Sequence, residues 1–500
     1  MKGALLVAGT GSDVGKSVVV QGICRWLARR GVAVAPFKAQ NMSLNSFVTN
    51  DGAEIARAQA AQAAAARIDP EATMNPVLLK PVDDRRAQVI VMGHAVCESD
   101  AQDYIDLRPR LAGIVRDAFD DLRSRFDVVV CEGAGSLAEI NLREGDLPNL
   151  GLARDAGIPV VIVGDIDKGG VFASFYGSVE LLDAPDRALV AGFIVNKFRG
   201  RYSVLEPGLR MIEKLTGVPV LGTLPWERAL WIDAEDALPL RPIAAAARPP
   251  VGRDTLDIAV VAMRRMSNFN DVDPIACEPG VSVRFTRSFG DLLRADLVIV
   301  PGSKATVDDL AELRADGLDR ALADRARRGR PILGICGGYQ MLGTRIIDPY
   351  ESGKGEAPGL GLLPVETIFE PDKILARPRG TAPSFGGVAA EGYEIHSGRV
   401  RRTAGDPLFA TRERDEGCRA GAVIGTSWHG IFECDEFRSA FLGWVAGVRG
   451  LDWQPGKTRF AAIREQTFDL LADLIEEYMD TGALLEVIER GSVPLERMRG

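Results

Sequence analysis

The sequence predicts an α/β chain of two domains, each a parallel sheet wrapped by helices, the first doubly wound around a phosphate-binding loop. Three observations carry this. Apolar strand-like runs alternate with helical patterns along most of the 500 residues. Several of these runs end in polar tips, which a parallel sheet gathers along one edge. A proline- and alanine-rich stretch without periodicity, close to residue 250, then separates two such series. The length agrees, because 500 residues exceed one ordinary core.

The first run, Ala4-Leu5-Leu6-Val7-Ala8, enters Gly9-Thr10-Gly11-Ser12-Asp13-Val14-Gly15-Lys16-Ser17, and apolar residues then recur at helical spacing through Leu27. Strand, glycine loop and helix form the setting of a nucleotide phosphate site. Backbone N–H groups around Gly11 and Gly15, with the helix N-terminus behind them, would cradle the phosphates. Lys16 would reach the outer phosphates and Ser17 would ligate Mg²⁺. Five residues rather than four separate Gly9 from Gly15, so the strict spacing of such loops is not met. A glycine turn without a ligand is the plain alternative.

The next strands deliver charge to the same crevice. Val32–Phe37 leads to Lys38, a second cation for the phosphates or a solvated surface lysine. Asp51, in Thr49-Asn50-Asp51-Gly52, offers a carboxylate for Mg²⁺, although Asp-Gly is also an ordinary turn. Phe126–Cys131 ends in Glu132 and the small residues Gly133-Ala134-Gly135-Ser136, where a nucleotide's Mg²⁺ would be held. Asp146 follows shortly after. Ile158–Val163 ends in Gly164-Asp165-Ile166-Asp167, and Leu189–Val195 ends in Asn196-Lys197, the place expected to read adenine. A switch ATPase would carry the same loop and strand-end carboxylate, so these features alone do not decide between enzyme and switch.

The second series begins at Leu256–Ala262. Its informative stretch is Pro331-Ile332-Leu333-Gly334-Ile335-Cys336-Gly337-Gly338-Tyr339-Gln340, a strand running into a cysteine flanked by glycine and then a helix. Small neighbours permit the strained turn that exposes a nucleophile, and the N–H groups after it supply part of an oxyanion hole. A thiol nucleophile calls for an imidazole. Of the three histidines, His429 in Thr426-Ser427-Trp428-His429-Gly430 is the expected base. His396 is the competitor, and His94 is expected to be structural or exposed. Thr458 to Glu489 has the periodicity of a packing helix.

Composition narrows the class. Sixty basic against 69 acidic residues, a net charge of -9, argue against a nucleic-acid footprint. No apolar run approaches the roughly 18 residues of a membrane span. Met1-Lys2-Gly3 enters a strand directly, so no signal peptide is expected. Seven cysteines without a C-x-x-C pair suggest reduced thiols in the cytoplasm. The expected division is residues 1–235, a linker over 236–255, a second domain over 256–450, and a C-terminal helical segment over 451–500 packed on that second domain.

Two resemblances sharpen this reading. The variant loop Thr10-x-x-x-Val14-Gly15-Lys16-Ser17 resembles that of dethiobiotin synthetase. GICGGYQMLG with a later histidine resembles the flavodoxin-like class I glutamine amidotransferases, whose cysteine releases ammonia from glutamine. Those domains carry His-x-Glu, but Ile431 stands two residues after His429, and Glu433 is near on a different spacing. Over roughly residues 3 to 445 the chain resembles the cobyric acid synthase family, through FKAQNMSLNS, CEGAGS, DIDKGGVFA, NKFRG, PGSK, GYEIH and WHGIF. The resemblance implies ATP, Mg²⁺, glutamine and corrinoid carboxylates as ligands: the b, d, e and g carboxylates of adenosylcobyrinic acid a,c-diamide become amides by way of acyl phosphates. It places Cys336, His429 and Asp146 in the chemistry, with Asp146 beside the acyl phosphate. The a,c-diamide synthase, and a switch ATPase fused to an inactive amidotransferase domain, remain the rival readings. No residue announces the corrin site, the ammonia path or the oligomeric state.

Overall fold

The computed structural model describes residues 1–227 and 248–490. Residues 236–247 of the expected linker, and the last ten residues of the expected C-terminal segment, lie outside them. The architecture is two-domain α/β, with a six-stranded sheet at the centre of each domain.

In the first domain the strands run in the spatial order Val220–Pro225, Val190–Phe198, Val160–Asp165, Gly3–Gly9, Val128–Glu132, Val34–Phe37. All five pairings are parallel. The chain's first strand is therefore central, and strand order reverses beside it, which is where such sheets open a ligand crevice. Burial on both faces explains why these strands read as unbroken apolar runs. The second domain repeats the plan with Val281–Thr286, Leu256–Val261, Leu297–Val300, Ile332–Ile335 and Val423–Thr426 parallel, and Cys418–Ala420 antiparallel at one edge. Smaller sheets complete this domain, and in one of them the antiparallel pair Val365–Ala376 and Glu394–Arg402 reaches the first domain where Lys373 meets Glu54.

The C-terminal helices depart from expectation. Phe460–Tyr478 packs its apolar face on the first domain's helix Lys16–Arg29, while Arg464 and the Phe460 N–H at its start reach Glu433 and Asp435 of the second domain. Leu484 and Ile488 of the next helix join the same core as Leu5, Val7 and Val19. Arg25, with a side chain 1% exposed, is held by Glu465 at 2.6 Å and Asp469 at 2.8 Å. Periodicity identified an amphipathic helix, but a hydrophobic face does not say which domain it covers. The nearly full burial of Phe468, Leu471 and Ile475 stabilises the docking by about 1.5–3 kcal/mol per side chain.

Candidate active site

The first domain's loop turns as its glycines require. Gly15 has φ +98°, and a methyl group there would lie 2.1 Å from the Asn196 amide nitrogen. Asn196 donates to the Val14 carbonyl at 2.9 Å, and Lys197 donates to the Asp13 carbonyl at 2.6 Å and to Asp165 at 2.8 Å. Both side chains brace the phosphate loop, and neither lines the cavity in front of it.

That cavity has a volume of 870 Å³, and its wall includes Gly11, Lys16, Lys38 and Asp146. Lys16 donates to the carbonyls of Gly11, 2.8 Å, and Gly135, 3.0 Å. Glu132, fully buried behind the wall, accepts from the Ser17 hydroxyl and the Lys38 ammonium at 2.9 Å each, and from Gln62. A hydroxyl and a carboxylate oxygen so placed suit a hard cation such as Mg²⁺. Among the described residues no three His, Cys, Asp or Glu side chains converge as a metal cage, so phosphate and water oxygens would complete such a shell.

Asp51 does not belong to this group. It is exposed at the tip of the hairpin Ser46–Val48 and Glu54–Ala56, where Thr49 donates to it, and it is absent from the cavity wall. The Asp-Gly turn explains the residue, with Gly52 at φ +82° and its N–H on the Thr49 carbonyl. Asp146 does line the cavity. Burial raises its pKa, opposed by the N–H groups of Gly151 and Asn149 at 3.3 and 3.1 Å. Three arginines that sequence reasoning did not single out, Arg108, Arg143 and Arg264, also line the wall and suit an acidic ligand.

In the second domain Cys336 sits at φ 49°, ψ −109°, a strained elbow between the strand Ile332–Ile335 and the helix Gly337–Leu342. Close packing demands the glycines: a methyl on Gly338 would lie 1.9 Å from the Val300 carbonyl, and one on Gly337 would lie 2.7 Å from the Ser303 nitrogen. The start of the helix after Cys336 is thereby packed directly against the strand Gly302–Ser303. His429, 2% exposed, interacts with Cys336 and places Nδ1 2.6 Å from Asp271. The second oxygen of Asp271 accepts from the Gly430 N–H at 2.8 Å. Burial opposes protonation of this imidazole, but the Asp271 carboxylate and the Cys336 sulfur outweigh it and raise the pKa to about 10.

Asp271 fills the place that the missing His-x-Glu left open. It precedes His429 by 158 residues, so no local spacing reveals it. The available signal was a polar run, Ser267-Asn268-Phe269-Asn270-Asp271, soon after a buried strand. Glu433 is committed elsewhere: Arg57 and Arg464 overcome its burial and hold its pKa at about 2. His396 lies beside the site, with Nδ1 2.8 Å from the Gly398 carbonyl. His94 is exposed on a strand of the first domain.

Comparison with known proteins matches residues 5–240 to a CobQ/CobB/MinD/ParA nucleotide binding domain and residues 257–437 to a CobB/CobQ-like glutamine amidotransferase domain. The chain is 53% identical to a cobyric acid synthase of Frankia casuarinae, over 98% of both chains. It is 56% identical to one of Streptomyces avermitilis, over 98% of this chain and 97% of that one. It is 51% identical to one of Mycolicibacterium paratuberculosis, over 100% and 99%.

Proposed function

Because the chain belongs to the cobyric acid synthase family, we propose that it amidates the b, d, e and g carboxylates of adenosylcobyrinic acid a,c-diamide, using ATP and glutamine. One observation carries the reading: a phosphate-loop cavity lined by arginines and a Cys336–His429–Asp271 site stand on either side of the single segment Met266–Asp271.

A carboxylate does not exchange oxide for ammonia, so the oxygen must first become a leaving group. Transfer of the γ-phosphoryl group of ATP gives an acyl phosphate and ADP. Ammonia then attacks the acyl carbon, and inorganic phosphate departs. Lys16 and Lys38 neutralise charge on the transferring group, which is most of what such a reaction asks of a protein. Ser17 and Glu132 would hold Mg²⁺, which would supply charge neutralisation of the phosphates. Arg108 holds an acceptor carboxylate at the cavity wall, whereas Arg143 and Arg264, also on that wall, are paired with Asp186 and Asp84. Asp146 accepts a hydrogen bond from the incoming ammonia.

At the other site the raised pKa of His429 makes it the base that takes the Cys336 thiol proton. The thiolate attacks the glutamine side-chain carbonyl, and backbone N–H groups beside the elbow receive the oxyanion. His429 protonates the departing nitrogen, and water then cleaves the thioester to glutamate. Asp271 touches no substrate; it is the positioning residue that fixes the ring and stabilises its charge. No described helix is long and apolar enough to cross a membrane, and the seven free thiols suit a reducing cytoplasm.

Mass spectrometry after incubation with the a,c-diamide, MgATP and glutamine tests this. Four added amides are expected. Amidation of cobyrinic acid at a and c instead would identify the sibling reaction, and glutamine hydrolysis without any amide would overturn the acceptor.

A further inference from the structure

The wall between the two sites is short, and its two sides serve different chemistry. Met266 and Phe269 line the cavity. A methyl group on Gly302 would meet both Ser267 and His429, and Asp271 pairs with His429, so these residues belong to the thiol side. Between them stands Asn268, 2% exposed and at φ +51°.

Asparagine is among the non-glycine residues that tolerate that region, and such a residue persists there where its surroundings hold it. Here they do. The Ser46 N–H donates to the Asn268 side-chain oxygen at 3.0 Å, and the Asn268 amide donates back to the Ser46 carbonyl at 3.0 Å and to the Tyr393 hydroxyl at 3.1 Å. The side chain thereby imitates a strand edge and pairs with the first domain's backbone. Its own carbonyl accepts from the Asp271 N–H at 3.0 Å, opening the turn Phe269–Val272 that carries Asp271.

Both ends of this clip lead to a site. Ser46 directly continues the cavity-lining residues Gln40–Asn45. Tyr393 stacks on His429, ring centroids 5.6 Å apart, and the two exchange backbone hydrogen bonds of 3.0 and 2.8 Å. Phe47, next to Ser46, packs on the same Tyr393 ring at 5.3 Å.

We infer that Asn268 is a positioning residue coupling the acceptor cavity to the thiol site. A ligand that orders Gln40–Asn45 fixes Ser46, and through Asn268 this fixes Asp271 and Tyr393 against His429. The inference rests on the reading that both sites serve one reaction. The coupling is reciprocal, so an acylated Cys336 favours the ordered cavity in return.

The test measures glutamate and amide together in the full-length protein and in Asn268→Ala and Tyr393→Phe, with glutamine or ammonium chloride as nitrogen source. In the unaltered protein, MgATP plus the a,c-diamide accelerates glutamine hydrolysis by about tenfold or more. Asn268→Ala loses that acceleration to within about twofold and forms glutamate in excess of amide, while amidation from ammonium chloride stays within about twofold. Tyr393→Phe, which keeps the ring and removes one bond, loses part of the acceleration. The inference is overturned if Asn268→Ala keeps full acceleration and equal glutamate and amide. It is overturned equally if ammonium-driven amidation falls in step, the mark of a merely structural role. Alkylation of Cys336 by iodoacetamide, with and without MgATP and the corrinoid, reads the same coupling without turnover. A ligand-dependent change present in the unaltered protein and absent from Asn268→Ala supports it, and identical behaviour overturns it. Absence of amide from the unaltered protein with either nitrogen source sinks the proposed function, while the alkylation result still decides the coupling.

Discussion

At the thiol site the acting groups are aimed at one another, whereas in the phosphate-loop cavity the cations are paired with the protein's own oxygens. Cys336, His429 and Asp271 form one buried line. Lys16 instead sits on two backbone carbonyls, and Lys38 shares the Glu132 carboxylate with Ser17. The substrates explain the contrast. The reacting amide of glutamine is neutral and brings no charge to organise a site, so the protein must hold its dipoles in place beforehand. A triphosphate brings several negative charges, and an empty pocket of buried cations would be costly without internal partners. Lys16 and Lys38 must therefore trade oxygens when nucleotide binds, while His429 trades nothing.

Removing the nucleophile should separate the regions most sharply. Cys336→Ala is expected to lower glutamine-driven amidation by at least about 10³-fold and to leave ammonium-driven amidation within a few-fold, measured as amide per minute with each nitrogen source. A parallel loss with ammonium would mean that the two regions are not separable. Asp271→Asn should cost glutamine hydrolysis about 10²–10⁴-fold in kcat with a smaller change in KM. It should also change the pH profile. His429 with a raised pKa stays protonated below about 10, so the unaltered hydrolysis rate is flat through neutral pH. Without the Asp271 carboxylate the imidazole loses its proton near neutrality, and a slope should appear between about pH 6 and 8.

Lys16→Ala probes the other region and should reduce amidation from both nitrogen sources by about 10²–10³-fold. Glutamine hydrolysis without acceptor should survive, since Lys16 touches nothing in the thiol site. The smallest effect concerns Glu416, buried below the thiol region and bonded to Thr426 and Ser427. Burial, opposed by those bonds, raises its pKa to about 7. A carboxyl whose folded pKa lies above its unfolded value stabilises fully below about pH 4.5, and the contribution is lost as pH rises through about 7. Glu416→Gln should flatten the fall in thermal stability over that window, a difference of roughly 3 kcal/mol.

The same contrast governs what could be read from the sequence. Both sheets, the phosphate loop and the Cys336 elbow were legible, because each is a local pattern of a strand, small residues and a helix. That Ser17, Lys38 and Glu132 lie together was legible because parallel strands bring their tips to one edge. Asp271 was not, because only the fold closes the gap to His429, and Glu433 answers to arginines rather than to the imidazole. Asn196 and Lys197 stood at the expected strand end but face the loop's backbone. Arg108, Arg143 and Arg264 lie on elements whose facing depends on tertiary packing, so their shared cavity leaves no mark in spacing.

The return of the helix Phe460–Tyr478 to the helix Lys16–Arg29 bears on synthesis. Arg25 and its partner Asp469 are 444 residues apart. At ribosomal speeds of about 5–20 residues per second, one face of the early helix waits roughly 20–90 s for its cover. During that interval the nucleotide domain is translated but unsealed, and its exposed apolar stripe is a natural handle for chaperones. A message cut short anywhere before this helix yields a domain that has its phosphate loop and lacks its lining. Until that helix arrives, Arg25 lacks its partners Glu465 and Asp469, and the apolar face of Lys16–Arg29 lacks its cover.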